Sequence, residues 1–337
     1  MKHHSILPYY HPTTVIMVDD NQRFLENFSL ILSEQLAFRF MASANEALSF
    51  INDRKQTIPL DQRCFSYMEG KSSMGGAIRL DIALMEQEIS NPERFRDISV
   101  VVVDYDMPEM TGLEFCRRIS NPRIKKILLT GVGDEKVAVD AFNDGLIDRF
   151  MKKNDPDIEK NINDAIASLQ RRYFHQVSSF IQNTLAMKSP EFLYDPQVTE
   201  LFFKIISEKK IAEYYYVEDP SGFLMVAGNG DLYRLLVMND ADIQTRMFEW
   251  RKLGAPDTIL SLMGRHQALP WLWSSPDDTD ETDPFDWQEH LYTARRVPNS
   301  THWHYALVEN PPADIEYEPE SSSYASYLAE IDSLSLL

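Results

Sequence analysis

The sequence predicts an α/β chain: a doubly wound, five-stranded parallel sheet, followed by a second α+β domain built on an antiparallel meander. Three observations predict this. In VVVDYDMPEMTGLEF (residues 101–115) a β-branched run ends on Asp104, and Pro108 and Gly112 break the chain before a new helix. In VIMVDD (residues 15–20) another apolar run ends on the acidic pair Asp19 and Asp20. Apolar runs that alternate with helical segments are what a parallel sheet, buried on both faces, requires. Further on, IAEYYYVED, GFLMVAG and DLYRLLVMND are separated by the turn sequences DPSG and GNGD, which is an antiparallel signal.

Taken in order, residues 1–12 read as a short arm and residues 14–19 as the first strand. Residues 21–35 follow as a helix, with a stripe of Phe24, Leu25, Phe28, Ile31 and Leu32. FRFMAS is the second strand and ANEALSFIND its helix. About 44 residues, Arg54 to Asp97, then intervene before the central strand. This insertion holds a Gly/Ser-rich tip, EGKSSMGG, and a segment AIRLDIALMEQEI of helical periodicity. It reads as a surface flap, with a partner-contact or lid element as the alternative. ILLTG and GLIDRFMKK supply the last two strands. From Pro156 the apolar positions Ile158, Ile162, Ile166, Leu169, Tyr173, Val177 and Phe180 predict one helix of nearly 30 residues, suited to joining two domains, where it pairs with its twin in a dimer or, equally, simply packs on the second domain. The second domain opens on a helix (VTELFFKIISEKK), carries two more after the meander, and ends on a strand (THWHYALVE) and an amphipathic tail. The domain boundaries are thus an arm at 1–12, a first domain at 13–170 with its insertion at 54–97, a connecting helix at 156–188 that overlaps its end, and an output domain at 189–337.

Carboxylates at the carboxyl ends of central strands lie where open α/β sheets hold ligands. If the strands ending at Asp19 and Asp104 are neighbours, three carboxylates converge and repel one another. Such a cluster requires a hard divalent cation, and Mg²⁺ with oxygen ligands is the natural one. A carboxylate held in this way can act as a nucleophile toward a phosphoryl group.

With these motifs in place, residues 13 to about 170 resemble the CheY-like receiver domain of two-component response regulators, a flavodoxin-like fold. The resemblance implies that Asp104 is the phospho-acceptor, that Asp19 and Asp20 hold Mg²⁺, and that Asp106 lends its backbone carbonyl to the metal. It implies that Thr130, at the end of ILLT, is the switch hydroxyl. Two registers are open for the phosphate lysine. Counting seven residues from Gly145 gives Lys152 and leaves Arg149 at the aromatic position. One residue more gives Lys153 and makes Phe150 the aromatic switch, so Lys153 satisfies both roles. The usual proline after that lysine is replaced by Asn154. The whole layout, including FLMVAGNGDLYRLLV, is also similar to that of the quorum-sensing response regulators of Legionella, which implies sensor histidine kinases of an autoinducer circuit as phosphodonors.

Composition bounds the output. The formal charge is −19, and from Pro190 onward there are 26 acidic residues against 10 basic ones. Such a surface disfavours nucleic acid, whose binding rests on neutralised phosphates; a patch of Arg246, Arg251, Lys252 and Arg265 is the exception. No GG[DE]EF or His-Asp metal-hydrolase motif occurs, so a metabolic enzyme is not expected, and a phosphorylation-gated enzyme of unfamiliar type stays the alternative. The expected partners are a sensor kinase, a second copy of the chain on phosphorylation, and a downstream protein. His302 and His304 would share a strand face and, with His266 or His290, offer a zinc site, but packing beside Trp303 is the simpler explanation. Cys64 and Cys116 follow no metal or redox spacing. No apolar run approaches 18 residues and the start lacks a signal-peptide core, so a soluble, cytoplasmic protein without membrane contact is expected.

Overall fold

Val100, Val101, Val102 and Val103 are all buried, and this is what makes the Asp104 strand the centre of a sheet covered on both faces. The computed structural model describes residues 5–53, 59–68, 77–131, 135–188, 191–276, 285–312 and 317–335. These fall into two compact units. One comprises His11–Gln62, Asn91–Phe180 and the residues from Tyr324 on; the other comprises the residues up to Tyr10, Arg63–Ser90 and Ile181–Ser323.

In the first unit five strands run parallel in the order Phe38–Met41, Thr14–Val18, Ile98–Asp104, Lys125–Thr130, Arg149–Lys152. This is the doubly wound, flavodoxin-like arrangement expected. Alternation sorts the side chains: Ile16, Val18, Val101, Val103 and Leu128 face helices Ala44–Asn52, Gly112–Arg118 and Glu135–Asn143. Val15, Met17, Val100, Val102, Ile127 and Leu129 face helices Gln22–Ser29 and Ile158–Val177. Helix starts are fixed by side chains: the Asn21, Ser43 and Thr111 oxygens accept from Phe24, Glu46 and Glu114 amides at 3.1, 3.2 and 3.2 Å. The first helix ends at Ser29, earlier than its apolar stripe suggested. Asn163 takes over there, donating to the Ile31 carbonyl at 2.8 Å and accepting from the Ser33 amide at 2.9 Å.

The tail belongs to this unit too. Helix Tyr324–Ser335 buries Tyr324 and Tyr327, which pack against Phe95 at ring separations of 5.2 and 5.6 Å. The Tyr324 hydroxyl accepts from the Ala37 amide at 2.9 Å and donates to the Gln35 carbonyl at 2.8 Å.

The second unit carries a six-stranded antiparallel sheet in the order Tyr9–Tyr10, Ile211–Val217, Gly222–Ala227, Leu232–Asn239, Trp303–Glu309, Arg295–Arg296. Its central hairpins are the meander expected, turned at the predicted sites. On one face, Phe202 of helix Pro196–Glu208 meets Tyr214 and Phe223 at 4.9 and 4.7 Å. On the other, Leu236, Met238, Ala306 and Val308 pack with helices Asp240–Lys252 and Asp257–Gly264.

Five expectations differ from this. The 1–12 arm is an edge strand: Tyr9 and Tyr10 pair with Tyr215 and Tyr214, and Ile6, Leu7 and Tyr9 are buried. Residues Arg63–Ser90 of the insertion group with the second unit and not the first. Within them Ala77–Leu80 is a strand paired with Phe65–Met68, so only Ala83–Glu86 and the following 3-10 turn honour the helical periodicity; the tip at 69–76 lies outside the described residues. The long helix is two, Ile158–Val177 and Ser179–Lys188, broken where the buried Ser178 hydroxyl donates back to the Phe174 carbonyl at 2.6 Å. Finally, Ile162, Ala165, Ile166 and Leu169 are spent on the first unit's own core, so this stripe is not available to pair with a twin.

Candidate functional site

The strands ending at Asp19 and Asp104 are direct neighbours, with Val18 opposite Val103. Adjacency in a parallel sheet therefore delivers the carboxylates to one place. Asp19 and Asp104 are buried, at 1% and 5% exposure, and Asp20 is exposed. One oxygen from each of the three lies within 4.8 Å of the others. Next along the sheet, Asp104 is level with Leu129, which puts the fully buried Thr130 one residue beyond it. The Thr130 hydroxyl donates to the Met151 carbonyl at 3.3 Å.

Lys153 enters the cluster. Its Nζ donates to Asp19 Oδ2 at 2.6 Å and contacts Asp104 Oδ1 at 2.8 Å, and it lies 4.5 Å from the centre of the Phe24 ring. Lys152, the other register, points to Glu135 at 2.6 Å on the surface. Its neighbour is held in place by the sheet: the Lys153 amide donates to the Thr130 carbonyl at 3.0 Å. Phe150 is half-buried against the core and meets Phe142 edge-on at 6.4 Å. Asp106 is exposed and bridges to Thr111 across the loop.

Burial lifts the Asp104 carboxyl above the ordinary range; the hydrogen bond and charge of Lys153 offset this only in part, and the charge of Asp19 adds to the rise. Burial alone would lower the Lys153 ammonium, but its hydrogen bonds to Asp104 and Asp19 outweigh that and raise it. The ammonium is thus the charge that makes two buried carboxylates tolerable. The donors around it, three carboxylates with a loop following Asp104, are hard oxygens, and their spacing fits a small dication such as Mg²⁺.

Two features of the site were not read from the sequence. Phe24 appeared only as part of an apolar stripe, and Gly112 only as a helix breaker. A Cβ on Gly112 would sit 2.2 Å from the Asp104 carbonyl oxygen and 2.8 Å from Leu128 Cδ1, so this glycine lets the loop close behind Asp104. The signal was present in its position eight residues after Asp104, at the start of a helix.

Residues 83–163 match the response regulator receiver domain family. The solved structure of the Legionella pneumophila response regulator LqsR is 36% identical, covers 99% of this chain and 98% of its own, and superposes with a TM-score of 0.76. The chain belongs to this response regulator family. Fainter likenesses are an adenylate cyclase from Rhodopirellula baltica (23% identity, 53% of this chain, 99% of that one, TM-score 0.34) and a receiver domain protein from Clostridium thermocellum (19%, 48%, 95%, TM-score 0.32), both too distant to bear on function. No curated protein matches.

In the response regulator's second unit two of the four residues of the basic patch are engaged by neighbours. Arg246 is ion-paired with Asp219 and, at 3.1 Å, with Glu249, while Lys252 lies over the Phe248 ring. This depletes the one patch that favoured nucleic acid. Among the described residues no helix is long and apolar enough to cross a membrane. His302 is exposed and lies outside the strand Trp303–Glu309, so it does not share a site with the buried His304.

Proposed function

We propose that this response regulator is switched by phosphorylation of Asp104, and that the switch governs self-association and a protein-interaction output. The observation that carries the reading is the bridging of buried Asp104 and Asp19 by Lys153, with Asp20 beside them, at the ends of neighbouring strands. An Asp104 oxygen attacks the phosphorus of a kinase phosphohistidine in line; the P–N bond breaks and the imidazole leaves with a proton. Asp19, Asp20, Asp104 and the Asp106 carbonyl would hold Mg²⁺, which supplies the positive charge that offsets the incoming phosphoryl oxygens. Lys153 passes from the carboxylates to the phosphoryl group. Thr130 turns from the Met151 carbonyl to a phosphoryl oxygen, and Phe150 fills the space it leaves.

The new charge is local, and the readout is a population shift; moving from 1:99 to 99:1 takes about 5.5 kcal/mol of differential stabilisation. The surface next to Phe150 supports a second copy as the partner. Helix Glu135–Asn143 exposes Val137, Val139 and Phe142, at 42, 41 and 46%. Dimerisation is assigned to this face and not to the helix Ile158–Val177. The layout shared with the Legionella regulators supports an autoinducer circuit in the cytoplasm, with a sensor histidine kinase as the donor.

The test is intact mass and light scattering of the full chain with Mg²⁺, with a small phosphodonor or beryllofluoride. A single phosphoryl adduct that Asp104→Asn abolishes, and a doubling of mass that Phe142→Asp abolishes while sparing the adduct, are expected. An adduct retained in Asp104→Asn would overturn the assignment of the acceptor.

A further inference from the structure

The second unit contains a cluster that the phosphorylation switch does not use. His304 is the second residue of the strand Trp303–Glu309, level with Met238, so its side chain lies on the face that meets helix Asp240–Lys252. Asp240 is the first residue of that helix, immediately after the capping Asn239. His266 follows helix Asp257–Gly264 with φ +55°, a left-handed conformation that is uncommon outside glycine. The strand, the helix start and the kinked connection bring three side chains to one point.

The two imidazoles lie 4.4 Å apart between ring centres, tilted by 30°. His266 Nε2 is 3.5 Å and His304 Nδ1 3.6 Å from the same oxygen, Asp240 Oδ1. The longer separation is beyond hydrogen-bonding range and the shorter is at its limit. His304 is only 2% exposed, and its Nδ1 is buried without a hydrogen-bond partner. Buried polar atoms are seldom left unpaired, so an orphaned ring nitrogen aimed at a carboxylate points to a missing partner between them. Tetrahedral bonds of about 2.0 to 2.2 Å to nitrogen and oxygen set ligand-to-ligand separations near 3.4 Å. Both measured separations lie within a few tenths of an ångström of that value, and all three donor atoms lie within 4.8 Å of one another.

We propose that Asp240, His266 and His304 bind a divalent transition-metal ion of the zinc class, with an open fourth position. Two imidazoles and one carboxylate suit Zn²⁺, whereas the all-oxygen cluster around Asp104 suits Mg²⁺. Asp240 has more than half of its side chain exposed, so the ion has a path from solvent. The site tethers a helix start to a strand and a loop within the second unit.

The test uses the full chain without an affinity tag, stripped with a chelator and dialysed against micromolar Zn²⁺, the bound metal being read by mass spectrometry. Partner variants are His266→Gln and Asp240→Asn, both at exposed or half-exposed positions. The parent should retain one equivalent more than either variant, and the variants should bind at least tenfold more weakly. His3, His4 and the Asp104 cluster are common to all three proteins, so the difference isolates this site. Co²⁺ added to the parent should give the intense visible bands of a tetrahedral site, which both variants lose. Equal stoichiometry and affinity in parent and variants would overturn the proposal, and so would a parent that shows only the weak bands of octahedral Co²⁺, whatever the variants do.

Discussion

Replacing Lys153 by methionine keeps an unbranched apolar side chain and removes the charge that lies beside Phe24 and between Asp19 and Asp104. The two ion pairs broken by this change span 2.6 and 2.8 Å, and the carboxylates are nine-tenths buried or more. At an effective dielectric of about 20 each pair is worth roughly 6 kcal/mol before desolvation is counted. Desolvation offsets most of that, and breaking a buried pair costs about 3–5 kcal/mol net. Lys153 is a quarter exposed, so the lower end applies: about 3 kcal/mol, or roughly a hundredfold in the folding equilibrium. The loss carries a pH signature. In the parent, the raised Lys153 pKa contributes stability that is complete below the ordinary lysine value and is lost as the pH rises through the folded one. Asp104 has the same sign in a lower pH window: its raised pKa makes the charged form a cost at neutral pH, relieved as the pH falls through it. Without Lys153 that cost grows, so the gap between variant and parent should narrow on acidification. Urea denaturation of both proteins at several pH values, followed by a signal from the first unit, measures it. Millimolar Mg²⁺ should restore part of the variant's midpoint, since a dication replaces the ammonium. A loss below about 1 kcal/mol that is the same at neutral and acidic pH would refute the view of Lys153 as the neutralising charge.

Other consequences are as concrete. Gly112→Ala forces a Cβ against the Asp104 carbonyl and Leu128, and should destabilise by about 3 kcal/mol in the same urea assay, because backbone lies on one side. Burial pushes the Cys116 thiol up to about 12, so Cys116 in the native protein should be inert to thiol reagents at mildly alkaline pH and react only once unfolded. The sign follows from linkage: the folded state holds this proton longer than the unfolded one, so its contribution to stability falls as the pH rises from about 9 toward 12. Tyr324→Phe removes a donor and an acceptor, at an expected cost of about 1–3 kcal/mol, and hydrogen exchange at the Ala37 amide should accelerate.

What the sequence made legible was whatever chemistry fixes at short range. Asp19, Asp104 and Thr130 each terminate an apolar run, and parallel strands that end together must bring such residues together. The choice between Lys152 and Lys153 was also local, since only one register puts an aromatic three residues earlier. The rest needed contacts across long separations. Tyr327 bonds Thr14, 313 residues away, at 2.6 Å, and no periodicity in the tail says which core it completes. Tyr9 and Tyr10 looked like an arm because a two-residue edge strand has no pattern of its own. The break at Ser178 leaves the apolar spacing intact, so the spacing alone predicted one helix.

The two clusters of the chain also differ in a way that bears on which ion each takes. Around Asp104 every donor is a carboxylate, two of the three are buried, and an internal ammonium already balances their charge. A cation there competes with Lys153, so it should bind weakly and exchange readily, which suits the phosphoryl switch proposed for Asp104. Around Asp240 the balance is reversed. One carboxylate faces two imidazoles, and the buried His304 Nδ1 gains from the ion the partner it otherwise lacks. Imidazole prefers the later transition metals, and abundant Mg²⁺, which dehydrates reluctantly, has little to gain from nitrogen donors. Magnesium that rises and falls would therefore act on the Asp104 cluster and leave the second site alone, while a chelator selective for zinc should loosen the second unit without affecting the phosphorylation proposed for Asp104.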